Sequence, residues 1–197
     1  WHTVARVLAV AGITLQPVTA GGCCGALPLH LNAHEDTVTR VRANIDAWWP
    51  LVEAGAEAIV GTASGCAGML KDYGHFMQHD AAYAERAAKI AALSKDISEV
   101  ITAEWETIKP MIKPAKEAMA FHPPCSLQHV LKIKGGVETL LKDMGYALTP
   151  VADTHLCCGS AGTYSVLQPA ISEELKSRKL KSLTAGAPAH IATANIG

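Results

Sequence analysis

The sequence has no run of about twenty consecutive apolar residues, so no helix in it is expected to cross a bilayer. Basic residues are not in excess either: 17 Lys and Arg stand against 18 Asp and Glu, a formal net charge of −1. Aromatic residues make up only 5% of the chain. That balance excludes a nucleic acid or an acidic membrane surface as the main partner, because phosphate binding needs a clear surplus of Lys and Arg. A secretory leader is missing: the apolar segment from Val4 to Val18 has no basic flank before it and no processing site after it. Also missing are a dinucleotide fingerprint, a phosphate loop, a Gly-x-Ser-x-Gly elbow and a Cys-x-x-Cys redox motif. Nothing nominates a general acid or base. The chain starts at Trp1 rather than Met and stops at Ile196-Gly197, and both ends read as cut.

Six cysteines are present, and four of them lie in two tripeptides, Cys23-Cys24-Gly25 and Cys157-Cys158-Gly159. A disulfide between neighbouring residues closes a cramped ring, which argues against structural bridges. Two adjacent thiols on a backbone free to turn sharply suit a soft or borderline metal, either iron in an iron–sulfur cluster or zinc. With such pairs and no export signal, a reducing cytoplasm is the expected compartment.

Strands and helices alternate along the chain. The pattern predicts a helix end over 3–11, strands at Ile13 to Val18, Glu57 to Ala63, Ala118 to Phe121, Tyr146 to Val151 and His190 to Ala194. It predicts helices over Leu29 to Glu53 in two pieces with a kink at Pro50, Asp80 to Trp105, Gln128 to Asp143 and Gln168 to Leu183. Such alternation indicates an α/β fold with a parallel sheet, in which ligands gather at the carboxyl ends of strands.

The two halves superpose. Gly12-Ile-Thr-Leu-Gln-Pro-Val18 matches Gly145-Tyr-Ala-Leu-Thr-Pro-Val151 at an offset of 133, Cys23-Cys24 matches Cys157-Cys158 at 134, and Ile59 to Gly65 matches Ile191 to Gly197 at 132. The chain therefore reads as a tandem duplication. A first repeat over 1–108 is joined by a Pro-containing linker over 109–117 to a second over 118–197. Each repeat is Cys, then Cys-Cys-Gly, then Cys. The single cysteines are Cys66 in the first repeat and Cys125 in the second, with their counterparts expected before Trp1 and just after Gly197. The Cys-Cys turns are expected to face each other near the interface of the pseudo-symmetric halves.

Other chemistry-bearing residues read as support. His122 and His155 lie near Cys125 and Cys157 and suit hydrogen bonding around a metal group better than ligation. His30 with His34, and His75 with His79, are i,i+4 pairs that lack the Glu of a zinc-protease pattern and read as solvated or core histidines. Met69, in the final place of Cys66-Ala-Gly-Met69, reads as packing. So do Trp48, Trp49 and Tyr164, with a partner contact as their alternative.

These strings carry a resemblance. Gly22-Cys-Cys-Gly-Ala-Leu-Pro-Leu-His-Leu-Asn32, Asn44-Ile-Asp-Ala-Trp-Trp49, Thr62-Ala-Ser-Gly-Cys66, Phe121-His-Pro-Pro-Cys125 and Leu156-Cys-Cys-Gly-Ser-Ala-Gly-Thr-Tyr164 resemble the tandem cysteine-rich (CCG) domains of heterodisulfide reductases and their relatives. More narrowly, they resemble the iron–sulfur subunits of bacterial glycolate oxidase (glycolate dehydrogenase). The resemblance implies that Cys23, Cys24, Cys66, Cys125, Cys157 and Cys158 are ligands of iron–sulfur clusters of the 4Fe-4S type, with zinc as the alternative. It implies a subunit of an oxidoreductase complex that relays electrons and is not catalytic by itself. Its partners would be flavin (FAD) subunits that oxidise glycolate to glyoxylate, and its acceptor a quinone, at the inner face of the cytoplasmic membrane. A zinc-bound or metal-free subunit-assembly module, a heterodisulfide-reductase-like activity and a lactate-oxidising complex are the alternatives. The ferredoxin-like part of that family is not in this sequence, and Met69 stands where the heterodisulfide reductase pattern has a second cysteine.

Overall fold

A computed structural model describes residues 2–195. The repeat positions at Trp1, Ile196 and Gly197 lie outside them. The first half opens with α1 (His2–Val10), runs through an irregular segment over 11–25, and continues with α2 (Ala26–His30), α3 (His34–Glu53), β1 (Ile59–Gly61), α4 (Ser64–Phe76), α5 (Ala84–Leu93), β2 (Ser94–Asp96), α6 (Ile97–Ala103) and α7 (Trp105–Ile108). A 3₁₀ turn at Lys109–Met111 and an irregular stretch lead to the second half. There β3 (Ala118–His122), a π turn (Ser126–Val130), α8 (Gly136–Asp143), β4 (Ala147–Leu148), α9 (Tyr164–Leu167), α10 (Pro169–Thr184) and β5 (His190–Thr193) follow in order.

Two small sheets result, and every strand pair in them is parallel. β1 pairs with β2, Ile59 opposite Ser94. β3 lies between β4 and β5, with Ala118 opposite Ala147 and Phe121 opposite Ala192. Parallel neighbours need crossovers, and helices supply them, so the α/β class expected from the alternation is the class observed.

Several elements differ from the sequence pattern. Ile13 to Val18 is not a strand. Its counterpart β4 pairs with β3, whereas among the described residues no strand pairs with Ile13 to Val18. β4 itself is only two residues long, ending ahead of Pro150, which cannot donate to a ladder. The expected single helix from Asp80 to Trp105 is broken where Ser94-Lys95-Asp96 extends to pair with β1. Asp96 then caps α6: its Oδ1 accepts from Ser98 N at 2.9 Å while Asp96 N donates to Glu99 Oε2 at 2.8 Å, a capping box that satisfies two helix-end donors. The helix expected from Gln128 to Asp143 is also interrupted, because Lys132 adopts φ +59° and α8 restarts only at Gly136. Pro50, expected to kink α3, sits in its final turn, and the helix runs unbroken to Glu53.

Three apolar clusters hold the halves. In the first, Val41 and Ile45 of α3 meet Met69, Leu70 and Tyr73 of α4 and Ala87 and Ile90 of α5. The second spans the two repeats: Ala67 of α4 packs with Phe121, Leu127 and Leu131. Along the same seam a Cβ added to Gly68 would lie 2.8 Å from Val130 Cγ1, so α4 and the π turn are in close contact. The buried Ser64 bonds Ser126 across it, Oγ to Oγ at 2.6 Å, and Ser64 N donates to Ala194 O at 3.1 Å. In the third, Trp105, Ile108 and Leu140 gather with Val7 and Ala11.

Candidate metal centre

All six cysteines are free thiols. In the first repeat, Cys23 is exposed on the loop ahead of α2, Cys24 is buried beneath it, and Cys66 is exposed in the first turn of α4, just past β1. The Cys24 thiol donates a hydrogen bond to the Cys66 sulfur. That bond, with burial second, pushes the Cys24 thiol far up. The same bond holds Cys66 down to about 7 against its own burial and the nearby Cys23. A position at a helix N-terminus acts in the same direction. Cys23, Cys24 and Cys66 thus share one electrostatic neighbourhood although 41 residues separate Cys24 from Cys66. In the metal-free chain, Cys66 alkylation by iodoacetamide should rise through a midpoint near pH 7 with Cys24 inert; a midpoint of about 8.5 for both, the value of a free thiol, would contradict the shared proton.

Two buried polar side chains fix this loop. Asn44 of α3 accepts from Gly22 N through Oδ1 at 2.7 Å and donates through Nδ2 to Cys23 O at 2.9 Å and to Tyr73 Oη at 3.0 Å. Tyr73 Oη in turn donates to Cys24 O at 2.8 Å. Every main-chain polar group they hold belongs to the Cys-Cys-Gly approach. Burial raises the Tyr73 phenol well above the tyrosine range, so it stays a donor. Trp48 lies under the same loop, stacked on Tyr73 with centroids 6.3 Å apart, and its Nε1 comes within 3.0 Å of where a Cβ on Gly21 would be.

In the second repeat, Cys125 is exposed at the end of β3 and starts the π turn, while Cys157 and Cys158 are half-buried on the loop ahead of α9. Gly159 N donates to Cys157 Sγ at 3.4 Å. Ser172 of α10 donates through Oγ to Gly159 O at 2.8 Å. The sulfurs of Cys158, Cys125 and Cys157 lie near enough to the buried ammonium of Lys179 to act on its charge. A cavity of about 430 Å³ opens there, lined by Cys158, Lys179, His122, Ser172 and Thr193 among others. The two loops are neighbours: Gly162 lies against His30, 3.8 Å from a Cβ position to its ring.

Other residues singled out from the sequence fall away from ligation. His122 Nδ1 bonds Thr193 Oγ1 at 3.1 Å, and burial with the nearby Lys179 lowers its pKa. His155 is exposed. His30 and His34 lie on different helices, and His79 lies beyond the end of α4, so neither i,i+4 pair shares a helix face. Met69 is buried in the first cluster, Trp48 packs against that cluster, and Trp49 lies under the Arg86 guanidinium at 5.9 Å. The roles of Asn44, Tyr73, Ser172 and Lys179 emerge only from the structure. For Asn44 and Lys179 the available signal is a polar residue on a helix face that otherwise turns inward, between Val41 and Ile45 in one case and beside Leu183 in the other.

The donor set fits a sulfur-ligated group: three thiols per repeat, Cys66 and Cys125 beside strand ends and the paired ones on loops, with Gly159 N–H directed at Cys157. Among the described residues no three or more Cys, His, Asp or Glu side chains close tightly enough to enclose one ion. A single zinc needs its sulfurs about 2.3 Å from one centre, whereas the thiolates of an iron–sulfur cluster bind different irons and need not meet at one ion.

The cysteine-rich domain family CCG matches residues 2–71 and 119–197. The glycolate oxidase iron-sulfur subunit of Escherichia coli (strain K12) is 47% identical over 193 residues, covering 98% of this chain and 47% of that protein. A probable glycolate oxidase iron-sulfur subunit of Bacillus subtilis (strain 168) is 26% identical over 193 residues, covering 98% and 43%. Lactate utilization protein A of an Exiguobacterium species is 31% identical over 163 residues, covering 82% and 64%. The chain spans about half the length of the glycolate oxidase relatives it matches.

Proposed function

The chain belongs to the CCG cysteine-rich domain family, one copy in each half, and from that premise we propose that it is the electron-relaying part of the iron–sulfur subunit of a glycolate oxidase. The observation that carries this reading is the recurrence of three cysteines in each repeat, Cys66 beside Cys24 in the first and Cys158 lining a cavity in the second. Cys23, Cys24 and Cys66 hold one group, and Cys125, Cys157 and Cys158 hold another, in repeats spanning 1–108 and 118–197 joined through 109–117. An iron–sulfur cluster of the 4Fe-4S type supplies one-electron transfer when bound. The chain's own residues aim the thiols: Gly159 N–H bonds Cys157, Asn44 and Tyr73 fix the carbonyls behind Cys23 and Cys24, and Ser172 fixes the turn after Cys158.

Partner subunits carrying FAD would oxidise glycolate to glyoxylate and deliver the electrons, and a quinone would receive them. No helix among the described residues is long and apolar enough to cross a membrane, so contact with a membrane acceptor would be peripheral, at the inner, cytoplasmic face. The 47% identity to a protein named for glycolate, against 31% to one named for lactate utilization, favours glycolate as the substrate of the complex.

The intact subunit, reconstituted anaerobically with iron and sulfide, should carry both elements and absorb in the visible. Cys157→Ser should lose the second repeat's iron, and electron flow from glycolate should fall by more than about 10-fold, the lower bound seen even for groups that merely support a metal ligand. Zinc alone without sulfide, or undiminished iron in Cys157→Ser, would overturn the assignment.

A further inference from the structure

Helix α10 carries a lysine on the face it turns to the protein. Lys179 is 3% exposed and lies on the same side as the buried Ser172 and Leu183. Its Nζ donates to Thr154 O at 3.0 Å and to Asp153 O at 3.4 Å, two carbonyls of the loop that leads into Cys157. No ion pair among the described residues includes it; α10 spends its other pairs outward, Lys176 with Glu173 and Arg178 with Glu174. An ammonium taken out of water without a carboxylate partner is costly, and backbone carbonyls offset only part of that cost. Negative charge near it comes from the Asp153 carboxylate and, once they are ionised on a metal group, from the sulfurs of Cys158, Cys125 and Cys157. Lys179 lines the same cavity as Cys158. Burial draws its ammonium below the usual lysine range, while Cys158, Cys125 and Cys157, followed by Asp153, draw it back up. The first repeat shows no such charge among the described residues: the buried polar residues around its loop, Asn44, Thr37 and Ser64, are all neutral.

We propose that Lys179 is a positioning residue that sets the reduction potential of the second repeat's metal centre, its buried positive charge lining the cavity beside Cys158 and making that centre easier to reduce than the one in the first repeat. The inference rests on the reading of Cys125, Cys157 and Cys158 as ligands. Removing the charge raises the free energy of the reduced, more negative state, so the potential falls. The asymmetry between a neutral clamp, Asn44, and a charged one, Lys179, would bias electrons toward the second repeat.

The test uses the intact subunit in a spectroscopically monitored redox titration, the second-repeat signal being the one lost in Cys157→Ser. Lys179→Gln keeps a donor for the loop carbonyls and removes the charge. Its reduction equilibrium should shift toward the oxidised form by at least about tenfold, which for a one-electron couple is about 59 mV downward. Lys179→Arg keeps the charge and should stay within about threefold of the parent. Ser182→Ala removes the hydroxyl that donates to Ala152 O, an anchor of the same loop without charge, and should leave the potential in place. An unmoved potential in iron-loaded Lys179→Gln, or an equal shift in Ser182→Ala, would overturn the proposal. A parent protein without second-repeat iron would instead defeat the metal reading itself.

Discussion

Gly159→Ala is expected to be the most damaging single-methyl change in the chain. Gly159 has φ +87°, in the left-handed region that a side chain enters only at a cost of roughly 1–2 kcal/mol. A Cβ there would also stand 2.3 Å from the carbonyl oxygen of Ser172 and 3.1 Å from its carbonyl carbon and Oγ. The obstacle is main chain of α10, which cannot swing aside as a side-chain tip would. Together the strain and the overlap should cost more than about 4 kcal/mol, in the exceptional range for one substitution. Gly25, its counterpart, supplies the internal comparison. It has φ +90°, yet a Cβ there would meet only side-chain carbons of Thr37, Val41 and Met69 at 3.5 to 3.7 Å. Gly25→Ala should therefore cost only the backbone term, roughly 1–2 kcal/mol. Thermal melts read this difference as about 2–4 °C per kcal/mol for a domain of this size. Iron content should follow, with Gly159→Ala losing the second centre and Gly25→Ala keeping the first. Equal melting temperatures for the two variants would show that α10 yields at Ser172.

Asn44→Ala is expected to be the next largest effect, and it should be confined to the first repeat. Asn44 is 1% exposed and makes three hydrogen bonds, to Gly22 N, Cys23 O and Tyr73 Oη. Truncation leaves two main-chain groups of the loop without this partner and opens a void beside Tyr73. Each buried group left unsatisfied costs about 1–3 kcal/mol, so a loss of about 3 kcal/mol is expected in urea unfolding. Tyr73→Phe removes two bonds, the one to Cys24 O and the one from Asn44 Nδ2, and should cost about 1–3 kcal/mol. Because Asn44 and Tyr73 bond each other, the double variant should fall short of the sum by about 0.5–3 kcal/mol. Iron should be lost from the first repeat and kept in the second. Additive costs, or equal iron loss from both repeats, would contradict a local clamp.

The parts of this architecture that sequence revealed are those written in adjacent residues. Cys23-Cys24 and Cys157-Cys158 are visible because two thiols side by side have few structural uses, and the duplication is visible because Gly-x-x-Leu-x-Pro-Val recurs before each. β1, β3 and β5 were legible as short apolar runs. What stayed hidden depends on partners distant along the chain. Ser94 to Asp96 leaves the helical pattern only because β1 offers it an edge, although Asp96 with Glu99 three residues later is a local sign of a new helix start. Ile13 to Val18 has the composition of a strand, but composition does not supply a neighbour. Lys179 is an ordinary helix former whose burial follows from where the loop over Asp153 and Thr154 comes to rest, a fact of tertiary packing that no window of sequence contains.

The seam between the repeats has a mechanical consequence. Gly68 is pressed against Val130, and Ser64 is bonded to Ser126, within two residues of Cys66 on one side and next to Cys125 on the other. These two turns are clamped directly to each other, so thermal fluctuation has little room to lengthen the gap that a tunnelling electron would cross from one repeat to the other. Enlarging Gly68 would wedge that gap open, and the pace of exchange between the repeats would then register a single methyl group.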